Sequence, residues 1–72
     1  MKKLTEREER VLMFIELYIL ENSVSPTRQE IADKFNFYPS GAQYYVEVLE
    51  TKERLIRVNK KRHDGRNIEI IS

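Results

Sequence analysis

Two groups of side chains in this sequence are spaced so that they could do chemistry. The first is Ser40-Gly41-Ala42-Gln43-Tyr44-Tyr45, where small residues lead into an amide and two neighbouring tyrosines. A glutamine amide donates and accepts side by side, which matches the N6 and N7 edge of adenine in a DNA major groove. A tyrosine can donate to a phosphate or a base, or lay its ring on a thymine methyl. The second group is cationic: Lys60, Lys61, Arg62 and Arg66, with Arg57 shortly before them. Such a cluster suits phosphate neutralisation. If three to five of these cations engaged, log K would fall with log salt at a slope of roughly −3 to −4.5.

Other chemistries lack their parts. There is no cysteine, which removes disulfides and thiolate metal sites, and the single histidine, His63, leaves little to hold zinc. The chain has no nucleophile–base set, no phosphate loop and no metal cluster, so neither an enzyme nor a cofactor is expected. No apolar run approaches the ~20 residues of a membrane span, and the N-terminus lacks the apolar core of a secretion signal. A soluble cytoplasmic protein is expected. The net charge of +1 hides an asymmetry: residues 1–50 hold six basic and nine acidic side chains, whereas residues 51–72 hold seven basic and three acidic. One face is therefore suited to a polyanion.

The elements that must position these residues can be read from caps and periodicity. At 72 residues there is room for one domain, residues 1–72. Thr5-Glu6-Arg7-Glu8, Thr27-Arg28-Gln29-Glu30 and Ser40-Gly41-Ala42-Gln43 each fit the S/T-x-x-E/Q capping box, and each precedes an apolar periodic stretch. They predict helices over about 6–21, 28–35 and 41–52. In the first, Val11, Ile15 and Ile19 form a stripe widened by Leu12, Phe14 and Tyr18. Ile31, Ala32 and Phe35 face inward in the second, and Asn36 is placed as a left-handed stop. Ala42, Val46 and Leu49 are the buried seam of the third, with Tyr45 at its edge. Ser40, Tyr44, Glu47 and Thr51 lie opposite, with Gln43 on a flank.

Beyond that helix the period becomes two. Strands are predicted over about 55–59 and 67–71, joined by a basic tip in which Asp64-Gly65 is the turn signal. A short strand at Val24-Ser25 could pair with the hairpin's edge. Three helices with a short second turn, then a two-stranded wing, describe an α+β, mainly α, winged helix-turn-helix. In that fold the third helix enters the major groove and the wing lies along the backbone. Small residues at the start of the helix would allow close approach to DNA, and the helix N-terminus offers N–H groups to a phosphate.

Plainer readings apply to the same residues. Tyr44 as a surface aromatic, Gln43 as a capping partner and the basic hairpin as a solvated loop are all ordinary. Glu47 would be repelled by phosphates unless it accepts from cytosine N4 or pairs with Lys52 or Lys3. The alternative function is a protein-interaction module that uses the exposed face of helix 3, with Tyr44 and Tyr45, and the wing.

At Leu4-Thr5-Glu6-Arg7 and Pro26-Thr27-Arg28-Gln29-Glu30-Ile31-Ala32 the sequence resembles the N-terminal DNA-binding domain of the LexA repressor family. The resemblance covers roughly Leu4 to Ile71. It implies a sequence-specific transcriptional repressor of bacterial or phage origin that binds double-stranded DNA at a palindromic operator as a homodimer, and it implies no particular small-molecule ligand. By position, Ser40, Gly41, Gln43 and Tyr44 match the family's base-reading start of helix 3. Thr27 and Arg28 match the start of helix 2 near the backbone, and Lys52 matches a basic residue late in helix 3. Four departures matter. The turn before helix 3 is one residue shorter, and Gln43-Tyr44-Tyr45 replaces the family's acidic pair and the side chain after it, so a different operator is expected. The glycine that ends helix 3 is missing, so an irregular or extended helix end is expected. The family's self-cleaving peptidase has no counterpart in these residues, and a stand-alone copy is not expected to be switched by self-cleavage.

Overall fold

The computed structural model describes residues 3–59 and 66–71. Its elements run α1 (Glu6–Asn22), α2 (Arg28–Phe35), α3 (Pro39–Thr51), β1 (Leu55–Arg57) and β2 (Ile68–Ile70). The strands pair antiparallel, with Leu55 opposite Ile70 and Arg57 opposite Ile68. This is the expected α+β, mainly helical order. Lys60, Lys61, Arg62, His63 and the Asp64-Gly65 turn lie outside the described residues.

Two of the three capping boxes form. At α1 the Thr5 hydroxyl accepts from Glu8 N at 3.2 Å and Glu8 Oε1 accepts from Thr5 N at 3.0 Å. At α2 the Thr27 hydroxyl accepts from Glu30 N at 3.0 Å and Glu30 Oε1 accepts from Thr27 N at 2.8 Å. The third box does not form. α3 starts at Pro39 with Tyr38 as its N-cap, and no side chain caps it. Proline explains the shift: its fixed φ suits the first helical position, and its missing N–H is one that needs no partner there. Ser40 is therefore inside the helix, and the Gln43 side chain is released for other work.

The helix ends turn left-handed. Asn36 stops α2 at φ 61°, where Phe37 N donates back to Ala32 O at 2.8 Å. After α3, Glu53 N donates to Glu50 O and Arg54 N to Leu49 O, the paired bonds of a Schellman stop. Glu53 occupies the left-handed position at φ 61°, where glycine is the usual choice.

Val11, Ile15, Ile31, Ala32, Ala42, Val46, Leu49 and Leu55 are fully buried, so every element from α1 to β1 feeds one core. A line of rings runs along one side of it. Tyr18 meets Phe14, Phe14 meets Phe35 edge-on, Phe35 stacks on Phe37, Phe37 stacks on Tyr45 at 5.1 Å, and Tyr45 meets Tyr44 edge-on at 5.2 Å.

Among the described residues no strand forms at Val24-Ser25. Ser25 holds the hairpin another way: its buried hydroxyl accepts from Ile68 N at 3.1 Å, and its carbonyl accepts from Arg66 Nη1 at 3.1 Å. Pro26 follows at once and has no N–H to carry a ladder onward, so a side chain takes the place of the second strand.

Candidate nucleic-acid interface

The starts of α2 and α3 are brought together by one hydrogen bond. Arg28, the first residue of α2, donates from Nε to Gln43 Oε1 at 2.6 Å. The same amide donates from Nε2 to Glu47 Oε2 at 3.1 Å, one turn further along α3. The Gln43 side chain is thus oriented from both ends before any partner arrives, with one N–H and one lone pair remaining. Burial, then the charge of Arg57, lowers the Arg28 pKa from its ordinary value, while Glu47 and Glu50 pull it back up.

Tyr44 stands on the outer face of α3 at 57% exposure, beside the exposed Ser40. Tyr45, its neighbour, leans inward against Phe37. The two adjacent rings thus divide between surface and core. Gly41 is informative in a different way. A Cβ built there would meet Phe37 Cβ at 3.4 Å, an ordinary contact, and the position does not have a left-handed φ. Neither the packing nor the backbone demands glycine at 41.

The remaining expected site residues among those described are engaged elsewhere. Thr27 uses its hydroxyl as the cap of α2. Lys52 reaches α1 instead of a ligand face, donating to Glu8 Oε1 at 2.6 Å and to Lys3 O at 3.0 Å. Glu8 is buried, and its pKa is lowered first by the Lys52 bond and then by the Thr5 N–H. Glu47 therefore pairs with Gln43 and not, as the sequence suggested, with Lys52 or Lys3. Arg57 forms a bidentate contact with Glu50 Oε1 at 3.1 and 2.8 Å. Arg66 turns inward to Glu30 at 3.2 Å, the Tyr18 hydroxyl at 3.3 Å and the Ser25 carbonyl. Its pKa is raised, first by Tyr18 and then by the charge of Glu30.

Glu30 is the residue whose importance the motif understated. It completes the Thr27 box, accepts from Tyr18 Oη at 2.8 Å and pairs with Arg66. Its pKa is lowered chiefly by the Thr27 N–H, with Tyr18 and Arg66 adding to the effect. α1, α2 and the base of the hairpin are pinned at one carboxylate. Glu47 was legible as a partner of Gln43 from their i, i+4 spacing; the contacts of Arg66, 36 to 48 residues away along the chain, were not. Among the described residues no group of His, Cys, Asp or Glu could hold a metal ion, and no helix is long and apolar enough to cross a membrane.

A short turn from Asn36 to Tyr38 sets α3 across α2, and a hairpin is clamped behind them: the architecture is a winged helix-turn-helix. The LexA DNA-binding domain model matches residues 1–63, and the chain belongs to that family. The LexA repressor of Thermosipho melanesiensis is 41% identical over 71 residues, covering 99% of this chain and 34% of that protein. The LexA repressor of Thermotoga petrophila is 44% identical over 61 residues, 85% of this chain and 31% of that protein. A more distant relative, the LexA repressor of Leptospira biflexa, is 37% identical over 71 residues. The chain spans about a third of the length of these relatives.

Proposed function

We propose that this chain binds double-stranded DNA sequence-specifically as a transcriptional repressor in the cytoplasm, acting as a homodimer on a palindromic operator. α3 enters the major groove by its first turns. Gln43 reads adenine, Tyr44 contacts a thymine methyl or a phosphate, and Ser40 and Gly41 allow the backbone to come close. Thr27 and Arg28 approach the phosphates beside the start of α2, and Lys60, Lys61 and Arg62 line the backbone from the wing. Arg66 anchors that wing through Glu30, so the tip cations carry the phosphate contacts. Lys52 stabilises the far end of α3.

The observation that carries this reading is the Arg28–Gln43–Glu47 chain, which holds an amide ready on an exposed helix start. Preorganisation of this kind removes an ordering cost from binding. A glycine at 41 that the fold does not require supports the same face.

Titration of a labelled duplex, followed by anisotropy at several salt concentrations, tests the proposal. Affinity should fall steeply with salt, and Lys61→Ala should flatten the slope by about one unit. Gly41→Ala should leave the fold as stable or slightly more so and yet weaken binding. A chain that binds no duplex at low salt would overturn the reading and direct attention to protein partners for the tyrosine face.

A further inference from the structure

α1 has a second apolar face that the core does not use. Val11, Leu12 and Ile15 are buried, whereas Met13, Leu17 and Leu20 stand on the opposite side at 62%, 52% and 81% exposure. An amphipathic surface helix ordinarily carries polar residues there. Beside this ridge runs a groove of about 440 Å³ between α1 and α2, lined by Met13, Phe14, Leu17, Tyr18 and Phe35 and flanked by Arg10, Glu21 and Lys34. None of Thr27, Arg28, Ser40, Gly41, Gln43 or Tyr44 contributes to it.

We infer that this face is the self-association surface of the chain, with α1 of one copy packing antiparallel to α1 of the second about a two-fold axis. The reason is self-complementarity. An isologous interface needs one patch that holds both halves of every contact, and here ridge and groove lie side by side on the same face. The charges fit the same arrangement. Arg10 and Glu21 are about 16 Å apart along the helix, at opposite ends of the apolar stretch. Antiparallel packing places each Arg10 against the other copy's Glu21, twice over. It also sets Leu17 of one copy over Phe14 of the other, at the centre of the patch. Parallel packing would oppose like charges at both ends. Arg10 already pairs with Glu6 on its own helix, so its charge is held on the outer face.

One helix and a shallow groove lie at the small end of interface sizes, so the association is weak without DNA. Both candidate reading faces stay open in such a dimer. The inference deepens the dimer part of the function proposed above, but its test contains no DNA. A chain that dimerises without binding DNA, or binds DNA as a monomer, therefore separates the two.

Sedimentation equilibrium of the 72-residue chain, from micromolar to millimolar concentration, should show a monomer–dimer equilibrium. Leu17→Lys should raise the dissociation constant by about tenfold or more while the circular dichroism spectrum keeps its helical form. Arg10→Glu should weaken the dimer, and Arg10→Glu combined with Glu21→Arg should restore it. A chain that stays monomeric throughout would overturn the inference and leave the face to a different polypeptide. A dimer indifferent to Leu17→Lys, or one that the double reversal fails to recover, would overturn it equally.

Discussion

α2 and α3 lie against one another, yet their ends are finished to different standards. α2 is eight residues long and closed at both ends, by the Thr27–Glu30 box at its start and by Asn36 in the left-handed region at its stop. α3 is thirteen residues long, begins without a side-chain cap and ends through Glu53, a residue poorly suited to its left-handed φ. α2 holds the structure, since Glu30 ties it to α1 and to the hairpin. α3 turns its first residues outward. Local perfection is spent where the fold is fastened, and the orphan groups of a helix start are left where an outside partner can meet them.

The comparison can be broken by substitution, and Glu30→Ala should do the most damage. It removes the cap partner of Thr27, the acceptor of Tyr18 and the counter-charge of Arg66, and should lower stability by about 2 kcal/mol in urea denaturation. Acid probes the same carboxylate without mutation. The pKa values of Glu30 and Glu8 both lie below their ordinary value of 4.5. Their contribution is complete above that value and is lost as pH falls through the lower folded values, so the urea midpoint should drop below about pH 4.5. The drop should be smaller in Glu30→Ala.

Thr27→Ala should cost about 1 kcal/mol. Glu53→Gly should work in the other direction and raise stability by about 0.5–1 kcal/mol, which would identify the end of α3 as the strained one. Smallest of all, Ser40→Ala should move stability by no more than about 0.3 kcal/mol. A loss at Ser40 as large as that at Thr27 would mean that α3 is capped after all, and the contrast between the helices would fail.

How much of this was legible in the sequence depends on chain separation. The caps at Thr5 and Thr27 are i, i+3 features, and the left-handed stop at Asn36 is a property of one residue, so local pattern was enough. The seam Ala42, Val46 and Leu49 followed from helical period. Ser40 misled because a matching motif was weighed without the proline before it, although a proline at the first helical position is itself a start signal. The cations Lys52, Arg57 and Arg66 looked available for phosphate because nothing in a linear pattern announces Glu8, Glu50 and Glu30 as their partners. Two of those pairs span more than thirty residues, and only the assembled fold creates them.

The row of rings from Tyr18 to Tyr44 has an optical consequence. The chain contains no tryptophan, so its ultraviolet emission is that of tyrosine alone. Tyr44 and Tyr45 stand edge to face at 5.2 Å, and the line continues through three phenylalanines to Tyr18. Chromophores this close couple, and their near-ultraviolet ellipticity depends on their mutual angles. A base or phosphate settling on Tyr44 would change that signal at one end, while loss of the Tyr18–Glu30 bond would change it at the other. The unlabelled molecule carries a dichroic reporter that runs from its proposed reading face to the anchor of its wing.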